Sequence, residues 1–148
     1  MLRATERPRT AKRTRPGTIL VVDDEEDICD SLTSALKLGV PGARVLTALS
    51  GEDALRVLDS EPVDLILADY KMPGMDGLAF LLEAKRRWPK VPRFLMTAYP
   101  DLDLAVRAIN EARILQFIRK PLDDGIAGVV GSCLHEVEEA RGLDPAFG

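Results

Sequence analysis

The sequence predicts an α/β fold: a three-layer sandwich whose five parallel strands, in the order 2-1-3-4-5, carry helices on both faces. Short apolar runs alternate with amphipathic stretches from Thr18 onward. Strands that read as nearly continuous apolar runs belong to parallel sheets buried on both faces. Five strand–helix units fit in about 125 residues, and right-handed crossovers leave few windings, of which this order is the common one. At 148 residues with 46% hydrophobic and 30% charged, the composition suits one folded domain with one core.

The elements follow in order. Thr18-Ile19-Leu20-Val21-Val22 reads as the first strand, and Glu25 to Lys37 as a helix with Ile28, Leu32, Ala35 and Leu36 on one face. Ala43 to Ala48 is the second strand. Ser50-Gly51-Glu52-Asp53 then forms a capping box that opens a helix burying Ala54, Leu55 and Leu58. Val63 to Ala68 is the third strand. The loop Met72 to Gly77 leads into a helix with Leu78, Leu81, Leu82 and Lys85 on its inner face, ended by Trp88-Pro89. Val91 to Met96 is the fourth strand, Leu102 to Ala112 a helix, and Ile114 to Ile118 the fifth strand. Ile126, Val129, Val130, Cys133, Leu134 and Val137 mark the core stripe of the last helix, and the tail 142–148 is expected to fray.

Charge divides the chain. Residues 1–16 hold six Lys/Arg and one acid, leaving the remainder with a surplus of nine acids. With Pro8 and Pro16 and no periodic apolar residues, this basic arm reads as a flexible, solubilising leader; contact with nucleic acid, anionic lipid or the acidic domain is the alternative. Apolar runs such as Ile19-Leu20-Val21-Val22 and Leu65-Ile66-Leu67-Ala68 are far short of the roughly 20 residues a membrane span needs. No apolar stretch follows the basic start as a secretory signal requires, so a cytoplasmic location is expected. Cys29 and Cys133 are too few and too far apart for a disulfide scaffold or zinc motif, and read as small buried hydrophobes.

In open α/β sheets, ligands bind beyond the carboxyl ends of the strands. Asp23 and Asp24 follow the first strand, Asp69 the third, Thr97 the fourth and Lys120 the fifth. Three gathered carboxylates would repel one another unless a divalent cation neutralised them, and all-oxygen ligation suits Mg²⁺. A carboxylate beside that ion can attack a phosphoryl donor. Lys120 offers a positive point charge and Thr97 a directional hydrogen bond to the transferring group. Each residue alone has a structural role open to it: Asp24 as a helix cap, Thr97 as a strand terminator, Asp76-Gly77 as an ordinary helix-start turn. Their joint placement favours chemistry. The single His135 reads as a half-exposed helix residue.

Four blocks carry a resemblance: Ile19 to Glu25, Asp69 to Gly77, Met96-Thr97-Ala98-Tyr99, and Phe117-Ile118-Arg119-Lys120-Pro121. Their polar positions are 45, 28 and 23 residues apart, and together, over roughly residues 17 to 141, they resemble the receiver domain of bacterial two-component response regulators, a flavodoxin-like fold. The resemblance implies that Asp69 is the phosphoacceptor. It implies Mg²⁺ held by Asp24 directly, by Asp23 partly through water, by Asp69 and by the backbone carbonyl of Lys71. It also implies a cis Lys120-Pro121 bond, and a phosphohistidine donor on a sensor histidine kinase or histidine phosphotransfer protein. In that family Thr97 and the aromatic residue at Phe117 couple the site to the face of helix four, strand five and helix five, where an effector or a second copy docks. Phe117 lacks the frequent tyrosine hydroxyl, so it can pack but cannot donate, and core packing is its other role. Ala98 and Tyr99 would rim the site, and the long side chains of Lys71 and Tyr99 would crowd the hydrolytic water. The stretch from Ala105 to Pro121 also resembles receivers joined to larger output domains.

The leading expectation is a phosphorylation-controlled signalling module, stand-alone or cut from a longer regulator, that promotes its own phosphotransfer without being a turnover enzyme. The enzyme alternative is a Mg²⁺-dependent phosphatase or phosphotransferase with an aspartyl intermediate. It is disfavoured because Lys71 stands where such enzymes place a second acid. Nucleic-acid contact through residues 1–16 is the binding alternative.

Overall fold

The computed structural model describes residues 17–123 and 125–143, with side chains as far as residue 139. The basic arm expected at 1–16 and most of the frayed tail lie outside the described residues. Ten elements alternate: β1 (Thr18–Val22), α1 (Glu26–Gly39), β2 (Arg44–Ala48), α2 (Gly51–Ser60), β3 (Leu65–Asp69), α3 (Gly77–Arg87), β4 (Arg93–Thr97), α4 (Leu102–Asn110), β5 (Gln116–Arg119) and α5 (Gly125–Leu143). All strand pairs are parallel and the order is β2-β1-β3-β4-β5.

Alternation along each strand divides the core into two layers. Leu20 and Val22 of β1 face α2, α3 and α4, joined there by Ala54, Phe80, Leu81 and Leu104. Ile19 and Val21 point the other way, onto α1 and α5, against Leu32, Leu36, Ile126 and Val130. Cys29 and Cys133 are free and buried in this second layer, as the sequence implies.

Among the described residues, three helices start on a capping side chain. Ser50 Oγ accepts from Asp53 N at 3.0 Å, Asp76 Oδ1 from Ala79 N at 2.8 Å, and Asp101 Oδ1 from Leu104 N at 2.8 Å. Each cap contributes about 1 kcal/mol to its helix. The box expected at Ser50 is half formed, because the Asp53 carboxylate pairs with Arg56 instead of turning back to the cap.

Strands three to five sit one or two residues later than their apolar runs. Val63 and Ile114 are buried in loops that plug the amino end of the sheet, whereas polar Asp69, Thr97 and Arg119 lie inside their strands. The ladder carries on past them, with Tyr70 N donating to Met96 O and Lys120 N to Thr97 O, both at 2.8 Å. Helix faces differ in detail: on α1 Cys29 is buried while Ile28 and Ala35 are half-buried, and on α2 Leu55 is half-buried. On α3 the buried residues are Leu78, Phe80, Leu81 and Ala84, with Leu82 and Lys85 half-buried at the flank. On α5 Val129 is 38% exposed, because that helix is apolar on more than one side and periodicity alone does not select the packed stripe. The same helix continues to Leu143, past the expected boundary at 141.

Candidate functional site

The parallel register brings the polar strand ends to one rim of the sheet. β1 pairs with both β2 and β3, so Asp23, directly after Val22, stands beside the end of β3, where Asp69 is the last residue. Asp69 pairs with Met96, which puts Thr97 one residue beyond it on the neighbouring strand. Carboxylate oxygens of Asp23, Asp24 and Asp69 all lie within 4.8 Å of one another. Asp23 is wholly buried and Asp69 nearly so, while Asp24 is exposed at the mouth.

Lys120 closes the crevice from the far side of β4. Its Nζ donates to Asp23 Oδ2 and to Asp69 Oδ1, each at 3.0 Å. The other Asp23 oxygen accepts from Glu25 N at 3.0 Å, so both of its carboxylate oxygens are engaged. Burial pushes the Asp69 carboxyl above its ordinary range; the Lys120 hydrogen bond pulls it back, and the charges of Asp23 and Asp24 push it up again. For Lys120 burial works against the charged form, but hydrogen bonds to Asp23 and Asp69 outweigh it and hold the ammonium above its usual value. Cys29 lies beneath the site, donating weakly to Asp23 O at 3.4 Å, and burial lifts its thiol to about 11.

The loop after Asp69 is held close by Gly77. Gly77 N donates to Tyr70 O at 2.7 Å, and a Cβ on Gly77 would lie 2.1 Å from the Asp69 carbonyl oxygen. Any side chain there displaces the backbone that carries Asp69. The helix-start turn open to Asp76-Gly77 from the sequence is formed, with Asp76 as the cap, but the close approach of Gly77 to Asp69 was not read from it; the signal available was the glycine itself, at N1 rather than at a cap.

Not every expected site residue converges. Thr97 is buried, and its Oγ1 accepts from Tyr99 N at 3.2 Å, while Ala98 and Tyr99 are exposed on the rim, as is Lys71. Phe117 pairs with Leu95 and packs, half-buried, on the α2–α3–α4 layer instead of entering the crevice. His135 is on the exposed side of α5, 3.4 Å from Glu139. The Lys120-Pro121 bond is cis. An all-oxygen donor set with one exposed carboxylate fits a hard divalent cation that retains water.

Comparison with known proteins agrees with this geometry. The family described as the response regulator receiver domain matches residues 19–126. The chain is 38% identical over 130 residues to the hydrogenase transcriptional regulatory protein HoxA of Cupriavidus necator, covering 87% of this chain and 26% of that protein. It is 38% identical over 127 residues to the DNA-binding transcriptional regulator NtrC of Escherichia coli K12, covering 84% and 26%. The signal receiver domain of an HD domain-containing protein from Pseudomonas fluorescens Pf-5 superimposes with a TM-score of 0.78 at 32% identity, covering 85% of this chain and 99% of that one. A CheY-like receiver from Methanospirillum hungatei gives 0.78 at 29%, covering 84% and 98%.

The chain belongs to the response regulator receiver domain family, the phosphoryl-accepting signalling modules of two-component systems. Receiver domains in general bind Mg²⁺ at the acidic pocket and are regulatory. The chain spans about a quarter of the length of the curated relatives it matches. Among the described residues, no helix is long and apolar enough to cross a membrane.

Proposed function

We propose that the chain is a phosphorylation-controlled switch whose phosphoacceptor is Asp69. The observation that carries this reading is the convergence of Lys120 Nζ on Asp69 Oδ1 and Asp23 Oδ2 at 3.0 Å each, with Asp24 at the mouth of the same crevice. An Asp69 oxygen attacks the phosphorus of a phosphohistidine; the P–N bond breaks and its electron pair stays on the imidazole nitrogen. Asp23, Asp24, Asp69 and the Lys71 carbonyl would hold Mg²⁺, which when bound neutralises charge on the transferring group. Lys120 gives up part of its bonding to Asp69 and donates to a phosphoryl oxygen. The Thr97 hydroxyl turns from Tyr99 N toward another.

The receiver is taken as residues 17–141, between a basic arm at 1–16 and a short tail at 142–148, working in the cytoplasm. Its donor is a sensor histidine kinase or a histidine phosphotransfer protein. Thr97 and Phe117 carry the change to the α4–β5–α5 face, which docks an effector or a second copy. The phosphate must favour one of two nearly balanced packings for this to work. The module promotes its own phosphorylation and dephosphorylation and turns over no separate substrate: Lys71 occupies the position where an acid would assist hydrolysis. Treatment with acetyl phosphate or phosphoramidate plus Mg²⁺, read by intact mass, tests the reading. One added phosphoryl group in wild type and none in Asp69→Asn supports it; equal labelling of both rejects it.

A further inference from the structure

Helix α4 is held very differently at its two ends. Packing anchors it thinly, since only Leu104 and Ala108 are buried, and Leu102 in its first turn is 78% exposed. At the carboxyl end, three successive carbonyls accept from cations on other elements. Lys85 Nζ of α3 donates to Glu111 O at 2.8 Å. Arg93 of β4 donates through Nε to Ala112 O at 3.0 Å and through Nη2 to Arg113 O at 3.3 Å.

Arg93 is only 6% exposed and forms no ion pair among the described residues. Its Nη1 donates to Val91 O at 2.8 Å and Pro89 O at 3.3 Å, so one buried guanidinium ties four carbonyls from two loops. Cations at a helix carboxyl end satisfy orphaned carbonyls and oppose the negative pole of the dipole. Arg113, at φ 52°, ends the chain's helical path in the left-handed region, which fixes the direction of its carbonyl.

Among the described residues, the amino end has no comparable tie. Asp101 caps it, but that bond to Leu104 N and the following one from Ala105 N to Asp101 O are internal to the turn and travel with it. Beneath lies an open cavity of about 390 Å³ walled by Tyr70, Leu104 and Arg107 among others.

We infer that α4 is hinged at its carboxyl end: Lys85 and Arg93 pin Glu111–Arg113 to α3 and β4 while the first turns swing over Tyr70. For its signalling consequence the hinge rests on the function proposed above. A change at Thr97 then displaces Leu102 and Val106 much more than Leu115.

Amide exchange read by NMR on the full chain tests the hinge. Ala105 and Glu111 each donate an ordinary helical bond, at 3.0 and 2.8 Å. After correction for intrinsic rates, Ala105 is expected to exchange about tenfold faster in the unmodified protein. Lys85→Met is expected to speed Glu111 about threefold and leave Ala105 unchanged. Arg93→Met has the larger effect at Glu111, and Lys85→Met keeps the test decisive if Arg93→Met does not fold. Equal rates in wild type, or equal acceleration of both amides, overturn the hinge. After phosphoramidate and Mg²⁺, shift changes are expected from Ala98 to Val106 and not at Glu111–Arg113; a uniform change along α4 also overturns it. If intact mass shows no phosphoryl group, the proposed function fails, while the exchange comparison in unmodified protein still decides the hinge.

Discussion

The Lys120 ammonium stands 3.0 Å from Asp69 Oδ1, across 51 residues of chain, in a crevice where the lysine side chain is 13% exposed. It also holds Asp23, so removing it leaves two buried carboxylates facing each other. Lys120→Met is expected to destabilise the metal-free protein by about 3 kcal/mol. Urea denaturation with and without Mg²⁺ checks this: the deficit should shrink when the cation is added, and a deficit that is small or insensitive to Mg²⁺ would speak against the pairing.

Magnesium binding should be visible as stability. At tenfold excess over its Kd the ion adds about 1.4 kcal/mol to a one-site protein. Thermal unfolding is expected to shift upward with Mg²⁺ in wild type and to lose that shift in Asp24→Asn, whose exposed carboxylate contributes little to the fold itself.

Gly77→Ala should damage both fold and chemistry. Its Cβ would meet the Asp69 carbonyl at 2.1 Å, so the loop must move. A loss of about 1–3 kcal/mol in stability, with slower phosphorylation by acetyl phosphate, is the expected result. Phosphorylation at the wild-type rate would show that the loop does not position Asp69.

Arg113 gives the opposite sign. A non-glycine residue in the left-handed region costs about 1–2 kcal/mol, which glycine avoids at a smaller entropic cost. Because Arg113 contributes its carbonyl to the Arg93 contact, Arg113→Gly should unfold at the same or a higher temperature than wild type, and Arg113→Val at a lower one.

The phosphoform lifetime tests the rim. Lys71 and Tyr99 are exposed beside the crevice, and each is expected to hinder the hydrolytic water. Lys71→Ala and Tyr99→Ala should each release phosphate several-fold faster. If neither does, the rim plays no part in protecting the acyl phosphate.

Much of this was legible in the sequence, for physical reasons. The central parallel strands are nearly continuous in apolar residues, so the first polar residue after each run marks the carboxyl rim of the sheet; Asp23, Asp69 and Thr97 stand out that way, and Lys120 follows one residue after Arg119. The contacts made by Arg93 and Lys85 were not. Both bond to backbone carbonyls, which every residue carries and no sequence pattern marks. Lys85 falls at a helical repeat of Leu78 and Leu81, which placed it on the inner face without showing that its ammonium reaches Glu111. Val129 was misplaced because α5 offers apolar residues on more than one side, and only the neighbouring α1 selects among them.

The outermost strands limit how copies of this chain can meet. β5 has four residues, with Gln116 and Arg119 exposed, and β2 exposes Arg44 and Thr47. A short border bearing charged and polar side chains is a poor template for adding a foreign strand. Self-association by sheet extension is therefore disfavoured, and the helix-covered faces are left as the broader surfaces for assembly.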